Sequence, residues 1–225
     1  MSRRLVVTFL VALALPALAL ANHTDPKKQI SPGDQRKAAS IALKRSDFVT
    51  GWKKQPNTPD SNDHDNCPGY DPNQSDLVLT GEVEAEFASG GGIPSVSSVV
   101  NVYKTKSDAV AAWTRSSKPA LAPCLGRLFK QAIEEEGGKA TVVKSGRLAF
   151  PKLAPRTDAY RIVISITVTD GGKQTKVPVT VHFVALGHGR GDAVLLAIGP
   201  GTGIAVADLR AFAKLTAARL AAAKL

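Results

Sequence analysis

The chain contains 225 residues, of which 44% are hydrophobic, 21% charged and 5% aromatic. Its 29 Lys and Arg exceed its 19 Asp and Glu, which gives a formal net charge of +10. This composition excludes a disordered or collagen-like chain. Two cysteines are also too few for a disulfide-dense miniprotein or a four-cysteine zinc site.

The first 21 residues have the pattern of a cleavable secretory signal. Two arginines precede an apolar run that ends in Ala-Leu-Ala, so we expect cleavage between Ala21 and Asn22. A retained membrane anchor is the alternative, but Pro16 interrupts the run, which is shorter than the ~20 apolar residues that span a bilayer. We therefore expect an exported protein with a flexible lead-in at 22–32 and one domain at 33–225. No later stretch is predicted to cross a membrane.

Cys67 and Cys124 are the only cysteines. Because an exported protein meets an oxidising environment, we expect these two thiols to form a disulfide. Two free thiols are the alternative.

Hydrophobic periodicity and turn residues predict the elements in chain order. They are a helix at 31–45, a loop at 53–75, a hairpin of strands 77–87 and 96–103, helices from 107 and at 119–137, a strand at 141–150, a hairpin of strands 160–169 and 176–183, a strand at 193–198 and a helix at 204–225. The strand at 193–198 is apolar on both faces and is expected to be central. In the last helix, Arg219 falls on the apolar side, where it is expected to snorkel or to face a ligand.

This order predicts an α+β fold: a single domain with a largely antiparallel sheet, helices packed on one face, and one disulfide. The other face of the sheet is then expected to be polar. Its predicted residues are Glu82, Glu84, Glu86, Arg161, Thr167, Thr180 and His182.

Several short segments resemble a known family. They are Ser46-Asp47-Phe48 with Gly51-Trp52, Cys67, the strands at 75–87 and 96–103, Ser107-Asp108-Ala109, Cys124-Leu125, Asp158-Ala159-Tyr160-Arg161 and Gly187-His188-Gly189-Arg190. Together they resemble the extracellular sensor domain of PknH-type actinobacterial serine/threonine kinases and its secreted and lipoprotein relatives. The resemblance implies a single α+β domain with an antiparallel sheet and a cleft that binds a small ligand. The kinase sensors carry two disulfides, whereas this chain can form one, and the resemblance transfers no functional residues.

Candidate sites for catalysis, metal and nucleotide are weak. The four histidines lie outside recognisable catalytic motifs. The glycine-rich loop at 199–203 lacks the third glycine of a dinucleotide site and the lysine of a phosphate loop. The acidic loop around Asp60 to Asp76 lacks EF-hand spacing. No cofactor or metal is therefore implied.

The basic residues are dispersed and aromatic stacking partners are few, so nucleic acid is not an expected partner. Contact with an anionic cell-wall polymer or lipid surface fits the charge better.

The favoured interpretation is an exported, non-enzymatic domain that binds a small or polymeric envelope ligand, with Glu84, Arg161 and His182 as candidate contacts on the polar face. A secreted hydrolase that uses His182 or His188 is one alternative. A structural or interaction protein of the envelope is the other.

Overall fold

A computed structural model of the chain describes residues 25–56, 67, 70, 72–90, 92–170 and 173–225. The predicted signal segment and most of the acidic loop lie outside these residues. Within them, no helix combines the length and the apolar character that crossing a bilayer requires.

The described residues form four α-helices and eight strands. In chain order they are β1 (Lys27–Lys28), α1 (Pro32–Ile41), β2 (Trp52–Lys54), β3 (Val78–Ser89), β4 (Ser95–Tyr103), α2 (Lys106–Ser116), α3 (Leu121–Glu135), β5 (Lys139–Arg147), β6 (Arg156–Asp170), β7 (Lys173–His188), β8 (Gly191–Pro200) and α4 (Val206–Ala222). The predicted order of four helices and six long strands is confirmed. The two very short strands, β1 and β2, were not predicted.

All eight strands belong to one sheet, in the order β1-β3-β4-β8-β7-β6-β5, with β2 also pairing with β3. Every pairing is antiparallel except that of β1 with β3. The predicted α+β class and largely antiparallel sheet are thus confirmed. β8 lies between β4 and β7, which explains why its sequence is apolar on both faces.

The helices do not share one face of the sheet, which corrects the prediction. One face is covered by α1 and α4, whose Ile41 and Leu209 pack with Val184 of β7. The other is covered by α3, whose Leu125 packs with Ile162 of β6. We call these the α1 face and the α3 face. α2 also packs on the α3 face, against Tyr103 and its neighbours at one end of the sheet.

The error arose because β3, β4 and β6 each have a more apolar side, and that side does not point to the same face of the sheet in all of them. In β3 and β4 the buried apolar residues Phe87 and Val96 point to the α1 face. In β6 the buried residues Ile162 and Ile164 point to the α3 face. Periodicity within one strand says nothing about its phase relative to another strand.

Side-chain hydrogen bonds cap the N-termini of α1 and α2. Ser31 caps α1, and its side chain accepts a hydrogen bond from the backbone N–H of Asp34 at 3.2 Å. Thr105 caps α2, and its side chain accepts a hydrogen bond from the backbone N–H of Asp108 at 3.0 Å.

The predicted disulfide between Cys67 and Cys124 is present. Cys124 lies on the buried side of α3, where its exposed fraction is 1%. The disulfide therefore joins the long connection before β3 to the helix that covers the α3 face.

Candidate functional site

The structure brings two of the three predicted contacts together and separates the third. Arg161 and His182 are directly opposite each other on β6 and β7, and both point to the α1 face. Glu84 points to the α3 face. Its cross-strand partner is Val99, and the next residue of β4, Val100, packs on the α1 face, so Val99 and Glu84 point the opposite way. Glu84, Arg161 and His182 therefore do not form a common site.

His182 is almost completely buried, with an exposed fraction of 1%. Burial, followed by the nearby charge of Arg161, lowers its pKa, so the imidazole is held in the neutral form. Its Nδ1 has no hydrogen-bond partner among the described residues. The same is true of Nδ1 of His188, at the end of β7. Neither imidazole is thus oriented by a carboxylate of the described chain, as a hydrolytic base would be.

A different site lies on the α3 face, across the centre of the sheet. Five residues in register form one row over five adjacent strands, and all five are half-buried. In order they are Glu84, Val99, Val194, Ala185 and Asp158. We call this row and the space above it the groove.

The groove contrasts with the same strands on the opposite side. On the α1 face, Val100, Leu195 and Val184 of β4, β8 and β7 are fully buried, each with an exposed fraction of 0%. On the α3 face, Val99 and Val194 remain partly open to solvent. α2 packs at one end of this face and α3 at the other, and the row lies between them, partly open to solvent.

Carboxyl groups mark both ends of the groove. At the β3 end, burial raises the pKa of Glu84 and of Glu86, and in each case a neighbouring glutamate adds to the effect. At the β6 end, burial raises the pKa of Asp158, partly offset by Arg147 at 3.1 Å. Four strand spacings of ~4.8 Å place the two ends roughly 19 Å apart.

The wall beside α2 is polar and ordered. Arg156 donates a hydrogen bond to Asp192 at 2.9 Å, and its guanidinium lies 5.9 Å from the ring centre of Trp113 on α2. Burial raises the pKa of Asp192 to about 6, against the opposing effect of Arg156. Contacts within the protein therefore hold this wall in place without a bound ligand.

The opposite wall contains Tyr160 of β6, which is buried beneath α3. The guanidinium of Arg147 lies 5.7 Å from the centre of its ring and 3.1 Å from the carboxylate of Asp158. An aromatic ring, a guanidinium and a carboxylate therefore lie together at the β6 end of the groove.

Among the described residues, no group of three or more His, Cys, Asp or Glu is arranged to hold a metal ion. Asp76, at the end of the acidic loop, instead forms a two-point ion pair with Arg115. The other acidic residues proposed as oxygen ligands lie outside the described part of the chain.

Comparison with known proteins adds no assignment, because no protein-family model and no curated protein matches this chain.

The sequence did not reveal most of the groove. Val99, Val194 and Ala185 are ordinary strand residues, and periodicity alone would place them in the core. They are open only because α2 and α3 cover different ends of the face. The one usable signal was Glu84, which was correctly placed on the polar side of its own strand.

Proposed function

We propose that the protein is an exported, non-enzymatic domain that binds an elongated ligand in the groove. The observation that supports this function is the half-buried row across the central strands, flanked by helices on both sides. Binding sites are commonly concave, partly apolar and equipped with a few polar groups at fixed positions.

The chemistry of the groove favours a particular class of ligand. Its middle, formed by Val99, Val194 and Ala185, suits an apolar chain or the apolar face of a sugar ring. Carboxyl groups at both ends suit hydroxyl or amine donors. We therefore propose a ligand about as long as the groove, with donors near its ends.

Three expectations support the cellular setting. The first 21 residues have the pattern of an export signal. The resemblance to the PknH-type sensor domain implies a ligand-binding cleft. The excess of basic residues favours weak attraction to an anionic envelope polymer or lipid surface.

The test is mass spectrometry of molecules that co-purify with the native exported protein. Ala185→Trp fills the middle of the groove, whereas Val143→Trp adds the same ring at an exposed position on β5, where the exposed fraction of Val143 is 63%. We expect a molecule that co-purifies with the wild type and with Val143→Trp, and is lost from Ala185→Trp. Wild-type protein that is repeatedly empty would count against tight binding and favour a structural role in the envelope.

A hydrolase gains no specific support from the geometry. His182 and Glu84 lie on opposite faces, and His188 has no carboxylate partner among the described residues. Chemical conversion of the co-purified molecule by the protein would instead support the hydrolase.

A further inference from the structure

A second open surface lies on the α1 face of the sheet, beside α4. α4 packs over β7 and β8 on the α1 face, and the residues of β5 and β6 that lie beyond the buried Ala159 on this face are exposed or half-buried. Four cations and three hydroxyl side chains with some exposure point to this side by strand register. They are Lys139, Lys144, Arg161 and Lys176, with Thr141, Ser165 and Thr167. We call this surface the basic face.

The cations of the basic face have no acidic partner in the part of the chain that the structure describes. None of the four forms an ion pair among the described residues, whereas Arg147, on the α3 face of β5, does. No described Asp or Glu of β5, β6 or β7 points to this surface, since Asp158 points to the groove. Asp208 is exposed on the first turn of α4, the helix that borders this surface.

Two buried polar atoms at the inner end of the surface also have no hydrogen-bond partner within the described ranges. These atoms are Nε of Arg161 and Nδ1 of His182, which sit side by side on adjacent strands. The loop before α4 lies over them, since a Cβ on Gly203 would come within 3.2 Å of Cε1 of His182. Buried polar atoms are ordinarily satisfied, so this end of the surface has unused capacity for hydrogen bonding.

The shape of the basic face selects between two kinds of anion. α4 rises beside the sheet by roughly 10 Å, so the strands beside it form a step with one wall. A flat bilayer meets the wall before it meets the strands, whereas a chain can lie along the step. Lys139 and Lys176 are two strand spacings apart, about 10 Å, and Arg161 lies about 20 Å further along the strands.

We infer that the basic face binds a linear polyanion that carries phosphate groups, laid along the step beside α4. The exposed lysines would neutralise successive phosphates, and the hydroxyl side chains between them would donate hydrogen bonds. The site is on the opposite side of the sheet from the groove. It rests on the proposed function only for the export of the chain, so either site can fail without the other.

The test measures binding of long-chain inorganic polyphosphate by the chain without its first 21 residues. Lys139, Lys144 and Lys176 are changed together to Gln; all three are exposed, and none forms a side-chain hydrogen bond or ion pair with another described residue. The control changes Lys53, Lys106 and Lys118 to Gln, which removes the same charge from exposed positions away from the basic face. Circular dichroism checks that both variants fold.

We expect the basic-face variant to bind polyphosphate at least about tenfold more weakly than the control variant. Its plot of log affinity against log salt concentration should be shallower by about 2, since each lost phosphate contact removes roughly 0.7. Equal weakening in the two variants would show diffuse attraction and overturn the inference. So would undetectable binding by the wild type at low salt. Tighter binding to vesicles of phosphatidylglycerol and phosphatidylcholine than to polyphosphate would assign the surface to membranes instead.

Discussion

Arginine–carboxylate pairs hold the ends of the elements in place. Arg190 binds Asp34 through both terminal nitrogens, at 3.2 and 3.0 Å, and joins the turn before β8 to the start of α1. Arg219 binds Asp47 in the same way, at 2.7 and 2.8 Å. Arg219 was expected to snorkel or to face a ligand; it instead ties α4 to the segment after α1. Sequence position gave its side of the helix but not its partner.

The Asp34 pair should stabilise the fold. Asp34 also accepts a hydrogen bond from Thr80 at 2.7 Å, so Asp34→Ala removes the carboxylate partner of Arg190 together with the stronger acceptor of Thr80. We expect a loss of about 2 kcal/mol in the free energy of unfolding, measured by urea denaturation. Asp76→Ala removes an exposed carboxylate that also pairs with an arginine, and should cost distinctly less. Equal losses would show that burial of the pair is unimportant.

The same pair gives a pH dependence with a definite sign. The hydrogen bond from Arg190 lowers the pKa of Asp34 below 3.8, although burial opposes this. Its contribution is thus complete above pH 3.8 and is lost as the pH falls through the lowered pKa. Asp34→Ala should remove this part of the acid destabilisation. The difference in free energy of unfolding between the wild type and Asp34→Ala, measured by urea denaturation, should therefore be smaller at pH 2 than at pH 7.

Asp192 should act in the opposite direction. Burial raises its pKa to about 6, so the folded state takes up a proton between pH 6 and pH 4 that the unfolded state does not. We expect this group to add about 1 kcal/mol of stability on going from pH 7 to pH 5. Asp192→Asn should lack that gain in urea denaturation at the two pH values. An unchanged gain in the variant would place the titration on another group.

Contact between α1 and β3 depends on a missing side chain. A Cβ on Gly81 would lie 2.6 Å from the backbone carbonyl atoms of Asp34. Gly81 also follows the irregularity in the pairing of β3 with β4, where the phase of β3 changes. This close approach sets the start of α1 against the sheet.

Gly81→Ala should therefore push α1 away from β3. We expect a loss of about 2–3 kcal/mol in the free energy of unfolding, because backbone atoms cannot move aside cheaply. Gly146→Ala is the matched control, since a Cβ there meets nothing within 4 Å. Gly146→Ala should leave the free energy of unfolding unchanged or raise it slightly. Both variants are measured by urea denaturation. A mild effect at Gly81 would mean that α1 can shift without cost.

At the level of elements, the sequence predicted type and order well and relative placement poorly. Alternation identified each long strand, and Gly, Pro and Ser marked the turns. Alternation within a strand does not show which face of the sheet its apolar side occupies. That information resides in the pairing register, which depends on contacts between distant residues. The groove was missed for this reason.

The disulfide is the main covalent constraint on the whole molecule. Cys67 and Cys124 are separated by 57 residues, a segment that contains β3, β4 and α2. Closing such a loop in the unfolded chain is worth up to roughly 4 kcal/mol. We expect the double variant Cys67→Ala, Cys124→Ala to lose about 2–4 kcal/mol in urea denaturation.

Dithiothreitol provides the internal control for this prediction. It should lower the stability of the wild type towards that of the double variant and leave the double variant unchanged. A wild type insensitive to the reductant, with the disulfide shown to be reduced by mass spectrometry, would mean that packing of α3 supplies the stability.

The open strand residues of the two faces differ in charge, since those at the groove include carboxylates and those of the basic face are cations, and this difference contributes an electric dipole across the sheet. Glu84, Glu86 and Asp158 lie on one side, and Arg161 with the exposed lysines lies on the other. Near an anionic polymer layer, this dipole exerts a torque that turns the basic face towards the layer. The protein would then settle in one orientation, with the mouth of the groove directed away from the layer and towards diffusing molecules.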